Sequence, residues 1–186
     1  MIKTSLFTTF VTLSLLLGGC SSDDQAQDAN AMVASNEYVL TALDTKQYVV
    51  HKTDGGFSLD GAQGKVVIFD IFATWCPPCQ AGAAHLSSLQ KKYPDELKVI
   101  GVTIEDMVQN AKLQTFRMQH DASYTLVNSS ENRRLVDAVA TSLKLGQRFP
   151  IPIVAMYKDG KLVNYYVGAV EEEIIESDIK KALGKH

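Results

Sequence analysis

The stretch VVIFDIFATWCPPCQ, residues 66–80, places an apolar run directly before two cysteines that lie three positions apart. Residues 66–72 are almost all apolar and rich in β-branched side chains, which is typical of a central strand buried on both faces. From Pro78 to Tyr93 the apolar side chains recur every three or four positions, which predicts an amphipathic helix. We therefore predict a buried strand that leads into a helix, with Cys76 just ahead of the helix and Cys79 on its apolar face.

This placement gives the two cysteines different chemistry. A thiol attacks only as the thiolate, and a helix N-terminus stabilises that anion through its backbone N–H groups and the positive end of its dipole. Pro77 and Pro78 suit the first turn of such a helix. The spacing thus predicts an exposed attacking sulfur at Cys76 and a sheltered resolving sulfur at Cys79, close enough to form a disulfide.

A CxxC pair can also be a structural disulfide or part of a metal site. A purely structural disulfide would gain little stability from closing so short a loop. A structural zinc site needs more ligands, usually a second cysteine pair or closely spaced histidines, whereas the four histidines of this chain are scattered and its third cysteine is Cys20. A metal-binding CxxC protein and a binding module with structural cysteines remain the alternatives from other functional classes.

The rest of the chain predicts alternating strands and helices. The expected elements are two strands around a turn within 38–50, strands at 97–104 and 124–127, helices at 108–120, 132–145 and 171–183, and a hairpin over 152–168 that turns at Asp159 and Gly160. Residues 55–65 are expected to form a loop. This order predicts a layered α/β sheet whose central strands are mostly parallel.

The first twenty residues form a separate unit. Lys3 precedes an apolar run of about a dozen residues, which is the length of a signal-peptide core and shorter than a membrane-spanning helix. The run ends in LGGC, residues 17–20, which resembles the lipobox of bacterial lipoproteins, whose cysteine is lipidated and becomes the new N-terminus. We therefore predict a lipoprotein signal peptide over 1–19 and a bilayer anchor on Cys20; an ordinary secretory signal is the alternative.

Residues 20–37 are expected to form the lipidated N-terminus and a flexible tether, because they are polar and acidic and have little to bury. As a coil, the tether would reach roughly 20–24 Å. It would hold the folded domain, residues 38–186, clear of the membrane on the outer side of the bacterial cytoplasmic membrane.

Composition limits the classes of partner. The chain has a net charge of -3, with 46% hydrophobic and 21% charged residues, which is ordinary for a globular protein. Lysine and arginine do not gather into a stripe, so no nucleic-acid partner is expected.

Two motifs carry a resemblance to a known family. FDIFATWCPPC, residues 69–79, has an aromatic-Ala-x-Trp-Cys context, and IPIVAMYKDGKLVNYYVGA, residues 151–169, has Ile-Pro, a strand, a Lys-x-Gly turn, a second strand and Val-Gly-Ala. In this order the motifs resemble those of thioredoxin-fold proteins, specifically the membrane-attached TlpA/ResA/DsbE-type thiol–disulfide oxidoreductases. The resemblance covers roughly 38–184 and implies an α/β thioredoxin fold with an N-terminal β-hairpin and a central αβ insertion.

The resemblance implies a substrate-binding surface around the dithiol. Pro152 matches the family's cis-proline, which leaves the backbone of Ile151 free to pair with a substrate segment; a trans proline opening an edge strand is the alternative. Pro77 lies between the cysteines on the same surface. Trp75 would shield the disulfide and offer an apolar docking face, although the only tryptophan of a chain can instead belong to the core.

Two carboxyl groups are candidates for the proton acceptor of Cys79. Asp70, six positions before Cys76, matches the buried acid of thioredoxins, and burial would raise its pKa toward the working pH. The alternative is an acid at a strand end that faces solvent. Glu105 follows the next strand, where many TlpA/ResA relatives have a glutamate. We rank Asp70 first.

The resemblance implies an enzyme of the cell envelope without a cofactor or metal. Its expected partners are protein disulfide or dithiol substrates, a membrane electron-transfer thiol protein, and the bilayer through Cys20. The family favours the reducing direction, including reduction of apocytochrome c cysteines before haem attachment. Dithiol oxidase and isomerase activities remain open, because direction depends on the potential of the site relative to its partners.

Overall fold

The computed structural model describes residues 36–185. The predicted signal peptide, Cys20 and most of the predicted tether lie outside these described residues. The elements are β1 (Glu37–Thr41), β2 (Gln47–Thr53), β3 (Gly56–Leu59), β4 (Val66–Phe72), α1 (Pro77–Lys92), β5 (Leu97–Thr103), α2 (Asn110–Gln119), β6 (Thr125–Val127), α3 (Asn132–Ser142), β7 (Ile153–Lys158), β8 (Lys161–Val167) and α4 (Glu172–Ala182). Among these helices, none has both the length and the apolar composition that a membrane crossing requires.

A five-stranded sheet in the order β6-β5-β4-β7-β8 carries the domain. Strands β4, β5 and β6 are parallel to one another, whereas β7 runs antiparallel to β4 and β8 antiparallel to β7. All seven residues of β4 are buried, as expected for a continuously apolar strand at the centre of a sheet that is covered on both faces. The α/β class and the thioredoxin fold are thereby confirmed.

Side chains alternate between the two faces of β4, so the sheet has a core on each side. One core joins β4 to α1, α2 and α4, and its buried members include Val66, Ile68, Phe72, Cys79, Leu86, Leu113, Phe116, Ile175 and Ile179. The other joins β4 to α3 and the N-terminal strands, with Val67, Phe69, Ile71, Leu40, Phe57, Val136 and Val139. Alternation places Asp70 on the face of Ile68 and Phe72, beneath α1.

The N-terminal strands form a second, three-stranded antiparallel sheet in the order β1-β2-β3. The predicted hairpin is present, but the prediction of a loop over 55–65 is wrong, because β3 pairs with β2. Phe57 and Leu59 are buried and alternate with less buried residues, a period of two that the neighbouring glycines obscured. Gly56 has φ +150°, and a Cβ there would lie 2.6 Å from the Tyr157 ring, so the close approach of β3 to β7 requires glycine.

Candidate active site around Cys76 and Cys79

Cys76 and Cys79 form a disulfide across the first turn of α1. Cys76 is the N-cap residue, with extended backbone angles, and Pro77 and Pro78 occupy the first two helical positions. The backbone N–H of Cys79 donates to Cys76 Sγ at 3.3 Å. The sulfur of Cys76 therefore takes the place that a side-chain oxygen usually has at a helix N-terminus, where a negative charge is stabilised.

The prediction of an exposed attacking sulfur is wrong for the disulfide form. Cys76 and Cys79 are both only 3% exposed. Tertiary packing accounts for this burial, since the chain before β7 crosses the helix start and brings the carbonyl oxygen of Ile151 to 3.8 Å from Cys76 Sγ. The two cysteines differ instead in surroundings: Cys76 receives an N–H bond at the helix end, and Cys79 faces the interior.

The side chains that precede and follow Cys76 form the outer surface of the site. Trp75 is 62% exposed, so the interpretation of this residue as plain core is wrong. Pro77 is also exposed. The Ile151–Pro152 peptide bond is cis, and the carbonyl oxygen of Pro152 accepts the N–H of Gly168 at 2.8 Å. An exposed ring, an exposed proline and the Ile151 carbonyl thus surround the entrance to the disulfide.

Asp70 lies on the inner side of the disulfide. Its side chain is buried, so the solvent-facing alternative is wrong. Asp70, Cys79 and Pro152 line one small cavity of about 10 Å³. Burial raises the pKa of Asp70 from 3.8 to about 7, although the hydroxyl of Tyr124, which donates to Asp70 Oδ2 at 2.6 Å, opposes that rise. A carboxyl with this pKa can both accept and return a proton near neutral pH.

Glu105 has a different position and different partners. Both the N–H and the hydroxyl of Thr74 donate to its carboxylate, at 2.6 and 3.0 Å, and Lys112 Nζ donates at 2.6 Å. Burial favours a higher pKa, but the hydrogen bonds from Lys112 and Thr74 outweigh it and hold the pKa of Glu105 below its ordinary value. Glu105 is therefore an ion-paired carboxylate that holds the turn two residues before Cys76.

Sequence reasoning missed three residues that support the site, Thr74, Gln80 and Tyr124. Thr74 connects the dithiol turn to Glu105, and its carbonyl oxygen accepts the side-chain N–H of Gln80 at 2.8 Å. Tyr124 is buried and bonds to Asp70, although it lies 54 positions away in the chain. Nothing in the local sequence around Thr74 or Tyr124 indicates that these side chains contact the carboxyl groups of Glu105 and Asp70.

The described histidines have different neighbours. His51 pairs with Asp60 and Glu37 on the N-terminal sheet, whereas His85 on α1 contacts the carbonyl oxygen of Val170. Within residues 36–185, no group of three or more His, Cys, Asp or Glu side chains is arranged to hold a metal ion.

Comparison with known proteins places this site in a family. The model of the family described as Redoxin matches residues 21–183. The thiol-disulfide oxidoreductase ResA of Bacillus subtilis is 22% identical over 149 residues, which cover 78% of each chain. The thioredoxin-like protein YneN of the same organism is 32% identical over 71 residues, which cover 38% of this chain and 42% of YneN.

A solved structure shares the fold. The thiol:disulfide interchange protein of Chlorobium tepidum superposes with a TM-score of 0.65 at 20% identity and covers 80% of this chain and 94% of its own. The family match spans most of the chain, and the disulfide lies at the start of α1. The chain therefore belongs to the Redoxin family and is a thioredoxin-fold thiol–disulfide oxidoreductase.

Proposed function

We propose that Cys76 is the attacking cysteine and Cys79 the resolving cysteine of a lipid-anchored, extracytoplasmic oxidoreductase that reduces protein disulfides. The observation that carries the assignment is the N-cap position of Cys76, whose sulfur accepts the N–H of Cys79 at 3.3 Å. When the disulfide is reduced, this N–H and the helix dipole favour the thiolate form of Cys76. Among residues 36–185, no N–H group bonds to the sulfur of Cys79, which lines the interior cavity instead.

The reaction proceeds through one mixed disulfide. The Cys76 thiolate attacks a sulfur of the substrate disulfide, so that a Cys76–substrate bond forms and the other substrate sulfur leaves as a thiolate. Cys79 then loses its proton, attacks Cys76 Sγ and releases the second substrate sulfur. Two electrons pass to the substrate, and the enzyme is left with the Cys76–Cys79 disulfide, the form seen in the structure.

Asp70 is proposed as the acceptor of the Cys79 proton. The two residues line one cavity, and a pKa of about 7 places the carboxyl near equal populations of both forms at neutral pH. The cavity of about 10 Å³ is near the smallest volume that holds one water molecule, which could carry the proton between the two groups. Glu105 is assigned the supporting role, because its lowered pKa and its bonds to Lys112 and Thr74 keep it charged.

The substrate is proposed to bind across Trp75, Pro77, Ile151 and Pro152. Trp75 presents a large exposed apolar surface beside the attacking sulfur, and aromatic side chains at such positions contribute strongly to protein binding. The Ile151 carbonyl, 3.8 Å from Cys76 Sγ, is placed to accept a backbone N–H from an extended substrate segment. A protein segment that contains cysteine is therefore the proposed substrate.

The reducing direction rests on the resemblance to the TlpA/ResA/DsbE branch. Apocytochrome c cysteines are one proposed substrate, and a membrane thiol protein is the proposed electron donor. The reduction potential separates this proposal from an oxidase. Equilibration with glutathione at pH 7 should give a value close to that of thioredoxin, about -270 mV, whereas a value near about -120 mV, as in a strong oxidant, would contradict the direction.

Cysteine variants test the two roles. Cys79→Ala should accumulate mixed disulfides with protein substrates, because the first attack proceeds and resolution cannot, whereas Cys76→Ala should form none. Mixed disulfides on Cys76→Ala at the same level would overturn the assignment.

The anchor is tested separately in whole cells. Labelled palmitate should enter the wild type and not Cys20→Ser, and the wild type should fractionate with membranes of the cell envelope. Equal labelling of both proteins would contradict the lipidation of Cys20.

A further inference from the structure

We propose that Tyr124 is a positioning residue, which holds the carboxyl group of Asp70 in the orientation that exchanges a proton with Cys79. The inference rests on the proposed role of Asp70. It adds a residue that directly precedes β6 to a site that the two sequence motifs confine to β4, α1 and the start of β7.

The Tyr124 side chain reaches Asp70 across an intervening strand. Tyr124 lies just before β6, Asp70 lies on β4, and β5 runs between these strands. Asp70 stands opposite Gly101 of β5 in the register of the sheet. The ring of Tyr124 crosses β5 at this glycine, because a Cβ on Gly101 would lie 2.9 Å from Tyr124 Cε2. The absence of a side chain at position 101 is therefore what lets the hydroxyl reach Asp70.

The contact itself is short and enclosed. Tyr124 Oη donates to Asp70 Oδ2 at 2.6 Å, and the two residues are 2% and 3% exposed. A hydrogen bond to one carboxyl oxygen restrains rotation of the whole group. Tyr124 thereby fixes one oxygen of a carboxyl group that lines the same cavity as Cys79.

The surroundings of Asp70 make this hydroxyl the main polar influence on the carboxyl. Among the described residues that line this cavity or bond to Asp70, Tyr124 is the titratable neighbour, and Cys79 becomes one when the disulfide is reduced. Strand β7 and helix α4 contribute apolar side chains, Val154 and Ile175. Burial raises the pKa of Asp70 to about 7, and the Tyr124 bond restrains this rise. Burial and the adjacent carboxyl raise the pKa of Tyr124 well above its ordinary value, so Tyr124 remains a donor throughout the working range.

Carbon-13 NMR of the oxidised full-length protein tests the contact directly, because the disulfide-bonded cysteines do not titrate. The Asp70 carboxyl resonance is identified by its loss in Asp70→Asn. In Tyr124→Phe the midpoint of the pH titration of this resonance should rise by about one pH unit, since a hydrogen-bond donor that favours the charged carboxylate is lost. The matched control is Tyr157→Phe, which removes the hydroxyl of a buried tyrosine in the core on the other face of the sheet and should leave the midpoint unchanged.

An unshifted midpoint in Tyr124→Phe, or an equal shift in Tyr157→Phe, would overturn the inference. A second measurement needs no change at Tyr124. In the wild type, the chemical shift of one tyrosine Cζ should change with pH at the midpoint of the Asp70 titration. In Asp70→Asn the same chemical shift should not change over this pH range. If no tyrosine resonance follows Asp70, the inference is also overturned.

The rate of the resolving step tests the catalytic consequence. In Tyr124→Phe, the pH profile for release of a Cys76 mixed disulfide should move upward together with the NMR midpoint, while alkylation of Cys76 stays at the wild-type rate. The outcome is separable from that of the proposed function. If Asp70→Asn leaves the resolving rate unchanged, the role of Asp70 fails. If Asp70→Asn slows it and the Tyr124→Phe profile does not move, only the role of Tyr124 fails.

Discussion

Replacing Asp70 with asparagine should change how the stability of the oxidised protein depends on pH. In the wild type, the folded-state pKa of Asp70 is about 7, above its ordinary 3.8, because the carboxyl is buried. Between these two values the folded protein holds a proton that the unfolded chain has released, so the free energy of unfolding falls as the pH rises. Asparagine keeps the shape of the side chain and removes this loss.

The magnitude follows from the two pKa values. At 1.36 kcal/mol for each pH unit between 3.8 and about 7, the wild type loses up to about 4 kcal/mol between pH 4 and pH 8 through Asp70 alone. Asp70→Asn should therefore gain up to about 4 kcal/mol relative to wild type between pH 4 and pH 8. A buried amide without a full set of partners costs about 1–3 kcal/mol, but this cost is the same at both pH values and cancels in the difference.

Denaturant unfolding of the oxidised proteins at pH 4, 5, 6, 7 and 8 measures this difference. The relative stability of Asp70→Asn should rise from pH 4 to about pH 7 and then become constant. The other titrating groups are common to both proteins and cancel. A constant difference over the whole range would show that Asp70 titrates normally in the folded protein, and the argument from its burial would be refuted.

Three further variants give distinct results. Glu105→Gln should lower the free energy of unfolding at pH 7 but have less effect as the pH falls, because a carboxyl with a lowered pKa loses its stabilising effect when it is protonated. Unfolding at pH 7 and pH 4 measures this difference, and an equal loss of stability at both pH values would contradict it. Trp75→Ala should alter the free energy of unfolding by less than about 0.5 kcal/mol, since the ring is 62% exposed. It should slow the reduction of protein disulfides more than the reduction of oxidised glutathione, and equal slowing of both would argue against a docking role. Gly101→Ala should lower the free energy of unfolding by about 1–3 kcal/mol in thermal or chemical unfolding, because the added Cβ would lie 2.7 Å from Leu126 and 2.9 Å from Tyr124. Wild-type stability of this variant would show that both side chains move freely.

Local patterns were sufficient to predict the elements that carry the dithiol. The apolar run of β4 and the helical period after Pro78 indicated a strand and a helix, and both are present with bounds within one residue of the prediction. These predictions hold because a strand buried on both faces and an amphipathic helix each require a pattern that can be read over a short window.

Features that depend on packing between distant segments were not predictable in the same way. The burial of Cys76 comes from the chain at Ile151, and the partner of Asp70 comes from Tyr124, across an intervening strand. Strand β3 was missed because Gly55 and Gly56 resemble a loop, although their lack of side chains serves the close approach of β3 to β7 and β8. In each case the local sequence is compatible with several partners, and the tertiary fold selects one.

Pulse alkylation of the reduced protein tests the central claim, the division of roles between the two cysteines, most directly. The reduced wild type is exposed briefly to iodoacetamide at pH 7, unfolded in acid, and analysed by mass spectrometry of the peptide that contains Cys76 and Cys79. Because the N–H of Cys79 and the helix N-terminus favour the thiolate of Cys76, the first label should appear on Cys76, and Cys79 should react much more slowly. Faster labelling of Cys79, or equal labelling of both, would contradict the assignment of Cys76 as the attacking cysteine.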